Sequence, residues 1–88
     1  MTETALDRAT ELAPLIERVH GPNHPELTRV RELTEQIAAA GPGGDVGALF
    51  AELRSVTSDF ALPEDACEAY TGTYQALQEA EAALAPRA

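Results

Sequence analysis

Apolar residues recur every three or four positions through most of this chain, and three breaks interrupt the pattern. The breaks are Gly21-Pro22-Asn23, Gly41-Pro42-Gly43-Gly44 and Leu62-Pro63. Glycine and proline both oppose helix continuation, so each break reads as a turn. Four segments remain, each with helical periodicity. The first, Thr4 to His20, places Leu6, Ala9, Leu12, Ile16 and Val19 on one face. Thr4 and Asp7 have the spacing of a capping box, with Asp in place of the usual Glu. Pro14 lies inside the pattern and predicts a kink or a late start. The second segment, Pro25 to Ala40, opens with proline at the first helical position, where a missing N–H costs nothing. Its stripe is Leu27, Val30, Leu33 or Thr34, and Ile37, and Gly41 is its expected C-terminal cap.

The third segment runs from Val46 to Ser58, with Asp45 as its cap. Val46, Leu49, Phe50, Leu53 and Val56 or Thr57 are its inward residues. The fourth is expected to start near Pro63, where Glu64 and Asp65 suit the positive end of a helix dipole. Cys67, Tyr70, Tyr74 and Leu77 step as a bundle seam, and Ala80 and Leu84 extend it. Glu81, beside that seam, is expected at a solvated edge. The alanine-rich tail from Glu79 to Ala88 is expected to fray. No segment alternates as a strand would. Short connections between such helices predict an all-α fold, a compact up-down-up-down four-helix bundle in a single domain, 1–88.

Eighty-eight residues give that domain a thin core, which oligomerisation or a ligand would help to stabilise. The formal net charge is −9, and all six basic residues are arginine. Such a surface repels nucleic-acid phosphates and anionic membranes, so neither is an expected partner. The acids are scattered along the chain, which fits solubility better than mimicry of nucleic acid. A single cysteine, Cys67, excludes an internal disulfide, and the acidic start MTETALDRATEL lacks the basic and apolar runs of a signal peptide. Both features predict a cytoplasmic protein.

The stretch IERVHGPNHPEL holds both histidines. Their spacing imitates the paired histidines of a zinc helix, but Gly21 and Pro22 break the helix between them. His20 and His24 therefore read as turn and cap residues. Cys67 lies on the apolar seam near Glu64 and Asp65 and reads as a buried, inert thiol. Ser55 and Ser58 have no base near them in sequence. Ser58-Asp59-Phe60 has the wrong order for the carrier serine of an acyl carrier protein, and GPGGD lacks the lysine of a phosphate loop. No catalytic, cofactor-binding or metal-binding residue is assigned, and no cofactor is expected.

Two stretches resemble a known family. Val19-His20-Gly21 with His24-Pro25-Glu26-Leu27, and the run LRSVTSDFALPEDACEAYTGTYQALQEAEAAL, resemble parts of the hemerythrin-like domain of RIC proteins. The Thr57–Phe60 run, Pro63-Glu64-Asp65-Ala66-Cys67 and the spacing of Tyr70 and Tyr74 carry the likeness, as does the ending Pro86-Arg87-Ala88. RIC proteins are di-iron proteins linked to repair of iron–sulfur centres under nitrosative and oxidative stress. Their iron ligands, His and Glu, lie near the start of the first helix, the end of the second, the start of the third and the end of the fourth. In an up-down-up-down bundle those places share one end. In this chain the second segment stops at Ala40-Gly41 and the third opens with Gly43-Gly44-Asp45. The fourth passes from Leu84 directly to its Ala-Pro-Arg-Ala ending. No family ligand has a counterpart. The resemblance implies a miniature, metal-free bundle, trimmed at the metal end of all four helices.

The function expected from this reading is non-enzymatic. The chain would be a structural or protein-interaction module that binds itself, as a homodimer, or another protein. The interface would lie at the trimmed end, marked by the Gly41–Gly44 turn and the termini. The alternative is an iron-binding stress-response protein with a site shared between protomers, using His20 and His24 with Glu17 or Glu26.

Overall fold

The computed structural model describes residues 3–40 and 45–85. Four helices account for most of them: α1 (Ala5–His20), α2 (Glu26–Ala40), α3 (Gly47–Val56) and α4 (Glu68–Leu84). Among the described residues there is no strand, and no helix is long and apolar enough to cross a membrane. The expected Gly41 cap, the Gly41–Gly44 turn and the Pro86–Ala88 ending fall outside the described residues.

α1 opens on the capping box expected from the sequence. The Asp7 N–H donates to Thr4 Oγ1 at 3.0 Å, and the Thr4 N–H donates to Asp7 Oδ2 at 3.3 Å. The helix then runs without a break through Pro14, so there is no late start. Pro14 faces solvent, and the carbonyl it cannot serve belongs to Thr10, which lies one turn back. The buried residues are Ala9, Ala13 and Ile16, and Val19, expected inside, is 68% exposed. The inward line steps 9, 13, 16, 20, which puts His20 in the place expected of Val19. At the helix end Gly21 donates to the Glu17 carbonyl at 2.8 Å, and a Cβ at Gly21 would run into that carbonyl.

α2 buries Leu27, Val30, Leu33, Thr34 and Ile37, the stripe its sequence predicts. α3 buries Phe50 and Leu53. Val46 occupies its N-cap position without a side-chain bond, while Asp45 Oδ1 accepts the Gly47 N–H at 3.3 Å. α3 stops at Val56, two residues before its expected end, because the chain enters a left-handed turn. Ser58, Asp59 and Phe60 have φ of 54°, 63° and 62°. That region is costly for residues other than glycine. Local bonds hold the turn: Asp59 N–H donates to the Arg54 carbonyl at 2.6 Å, and Phe60 N–H donates to Thr57 Oγ1 at 2.9 Å. Phe60 is buried edge-on against Tyr74, with ring centroids 5.7 Å apart.

Seating Phe60 delays the last helix. α4 begins at Glu68, not near Pro63, and Cys67 is its extended N-cap. Glu64 and Asp65 therefore lie in the preceding loop, not in the first helical turn. The tail expected to fray is helical as far as Leu84.

α1 packs against both α2 and α4, and α2 packs against α3. The core contains Ile16, Leu27, Leu33, Ile37, Phe50, Leu53, Tyr70, Tyr74 and Leu77. Two expectations about α4 fail. Cys67 is exposed, because as the N-cap it sits outside the helical periodicity that put it on the seam. Glu81 is buried, with 6% of its surface exposed, because Arg54 of α3 reaches across to it.

Candidate protein-interaction surface

The two ends of the molecule differ in chemistry. At one end the turn after α1 meets the loop before α4. His24 Nε2 lies 3.0 Å from Asp65 Oδ1, and His24 Nδ1 lies 3.5 Å from Glu26 Oε2. His20 Nε2 lies 3.3 Å from Cys67 Sγ. Both imidazoles stand edge-on to the Tyr70 ring, at centroid distances of 5.2 and 5.7 Å. Tyr70 in turn packs edge-on against Tyr74 at 5.1 Å. The histidines do build the turn: the His20 carbonyl accepts N–H bonds from Asn23 and His24. They also fasten it to the 57–67 loop and to the start of α4.

The electrostatics at this end follow the contacts. The hydrogen bond from His24 holds the Asp65 carboxyl below the usual carboxylate range. Burial pushes the phenols of Tyr70 and Tyr74 above the ordinary tyrosine value. Glu17, considered as a metal ligand, is held elsewhere. Arg31 Nε donates to its Oε1 at 2.7 Å, and bonds from Thr28 and Arg31 lower its pKa. Among the described residues, no three His, Cys, Asp or Glu side chains are arranged to hold a metal ion.

At the opposite end an apolar groove lies open. Thr4, the N-cap of α1, with Ala5 and Leu6 of α1, Ile37 and Ala38 of α2, and Ala80, Ala83 and Leu84 of α4 surround about 300 Å³. Its origin is the run of small residues at the helix ends. Alanine on α2 and α4 cannot fill the space between these helix ends. Ile37 and Ala80 form the buried floor, while Leu84 remains 44% exposed at the lip. A space of this size accepts one or two bulky apolar side chains.

The Gly41–Gly44 turn, where the sequence together with the termini leads one to expect an interface, lies outside the described residues; the groove is built from the helix ends beside it. Three features had no signal in the sequence. Asp65 and Tyr70 join the histidines only because the 57–67 loop returns across the α1–α2 turn. Arg54 and Glu81 are 27 positions apart. The groove's alanines read as ordinary helix formers.

Comparison with known protein families, with curated proteins and with solved structures finds no match for this chain.

Proposed function

We propose that this chain is a non-enzymatic helical module that associates with protein, a second copy or a different partner, through the groove at the ends of α1, α2 and α4. The observation that carries this reading is the open, apolar and uncharged lining of that groove. Water against such a surface is unfavourable, and a helix laying an apolar face into a groove is a recurrent way to cover it. The reading includes descent from the hemerythrin-like bundle of RIC proteins, with the metal end trimmed away, and a cytoplasmic location.

The test is an NMR titration of the ¹⁵N-labelled protein. The ligands are designed amphipathic helical peptides that share one leucine face and carry basic, neutral or acidic polar faces. Sedimentation across a wide concentration range accompanies it. The reading requires that a peptide, or a second copy, shift the amides of Ala38, Ala80 and Ala83, and that Leu84→Glu abolish the effect. Failure of every peptide, together with a monomer at all concentrations, would sink it.

A second reading has its own observation. His20, His24, Asp65 and Cys67 gather at one end, and two protomers meeting there would pool imidazole, carboxylate and thiol donors of the kind metals use. Native mass spectrometry after anaerobic incubation with ferrous iron tests it. Two irons per dimer, lost in His20→Ala/His24→Ala, would favour this alternative; a metal-free spectrum would exclude it.

A further inference from the structure

We infer that the occupant of the apolar groove is a basic amphipathic helix supplied by another protein. The inference rests on the groove being a protein-docking site and adds the chemistry of the partner.

Thr4 lines the α1 side of the groove, and three carboxylates, Glu3, Asp7 and Glu11, flank it in sequence at four-residue steps, with Glu3 and Glu11 close enough to share a hydrogen bond. Asp7 is partly committed, because it accepts the Thr4 N–H in the capping box. Glu3 and Glu11 have no such role in holding the helix start. A hydrogen bond shared with Glu3, then the charges of Glu3 and Asp7, push the Glu11 carboxyl above the ordinary range. This is negative charge concentrated against itself, which an incoming cation would relieve. Arg8 stands in the same turns, yet among the described residues it joins none of these carboxylates in an ion pair. Three arginines of α2 and α3 are engaged with other acids. Arg29 binds Glu52, Arg31 binds Glu17 and Glu35, and Arg54 binds Glu81 and Asp59. Carboxylates that no arginine pairs thus lie beside the open apolar surface.

Charge also decides against a second copy. A two-fold dimer applies the same surface to itself, so the carboxylates beside one groove would approach those beside the other. Each copy carries a formal net charge of −9, and the repulsion would grow on association. A helix with leucines along one stripe and lysine or arginine flanking it meets both requirements. Its apolar side chains enter the space between Leu6, Ile37 and Leu84, and its cations reach Glu3 and Glu11. This is the usual division between an apolar core that supplies affinity and charges that supply partner choice.

The peptide set named above discriminates the possibilities, with one addition: a basic helical peptide whose leucine face is replaced by alanine. The leucine-faced basic peptide should shift the amides of Ala38, Ala80 and Ala83 and bind at least tenfold more tightly than its acidic counterpart. Its affinity should fall with salt. The alanine-faced basic peptide should not reach the groove. Glu3→Gln/Glu11→Gln should weaken the basic peptide several-fold and flatten its salt dependence while leaving the neutral peptide unchanged. Equal affinity for basic, neutral and acidic peptides would overturn the inference and leave the docking groove standing. So would self-association mapped to the same amides. Binding of the basic peptides irrespective of their leucines would overturn both.

Discussion

Arg54 and Glu81 form the ion pair whose removal should cost most. Glu81 is 6% exposed, and Arg54 engages both of its carboxylate oxygens, with Nε donating to Oε2 at 3.1 Å. The same guanidinium binds Asp59 and lies 5.2 Å from the centre of the Phe60 ring. One side chain therefore joins the end of α3, the left-handed turn and the last turns of α4. Replacing Arg54 with Met keeps much of the volume but leaves a carboxylate in a largely dry site without a counter-charge. Such a loss costs about 3–5 kcal/mol when the pair is fully buried. The Arg54 side chain is 27% exposed, so water can partly take its place, and the lower end, about 3 kcal/mol, is expected. A domain of this length has roughly 4–13 kcal/mol to lose in total. In urea, with a slope of about 1–1.5 kcal/mol per molar, the midpoint should fall by about 2–3 M. The assay is equilibrium unfolding followed by circular dichroism at 222 nm. Arg54→Met/Glu81→Met should recover most of the loss, since an apolar pair replaces an ionic one with little net change. A single variant within about 0.5 kcal/mol of the parent, or a double variant no better than the single, would refute the reasoning. The carboxylate would then be solvated in solution.

Two further predictions concern the left-handed turn and the paired carboxylates. Ser58, exposed at φ 54°, should gain about 0.5–1 kcal/mol on Ser58→Gly and lose about 1–2 kcal/mol on Ser58→Val, since only glycine occupies that region without steric cost; equal midpoints for the two variants would argue against strain there. Asp65, Glu17 and Glu52 are held below their ordinary values by His24, by Thr28 with Arg31, and by Arg29. The folded state then binds fewer protons than the unfolded one, so this stabilisation is complete above the unfolded values near ~4 and is lost as pH falls through the lowered folded values. Urea midpoints should hold steady from neutral pH to about 5 and decline below about 4, and Asp65→Asn should make the decline shallower; an unchanged slope would mean that the contact with His24 is not kept in solution.

Periodicity and turn chemistry determined the secondary structure of this chain. The spacing of Leu27, Val30, Leu33 and Ile37 fixed the face of α2, and Thr4 with Asp7 fixed the start of α1. These are local effects, written in residues three or four apart. Tertiary structure decided matters wherever two distant segments compete for one place. Val19 yields the inward position to His20 because Tyr70 waits there, and α4 starts late because Phe60 must first reach Tyr74. Glu81 is drawn inside by an arginine 27 residues earlier, and the groove exists because alanines on separate helices leave the same space unfilled. Burial and charge pairing depend on what lies opposite a residue, and one helix's own sequence does not carry that information.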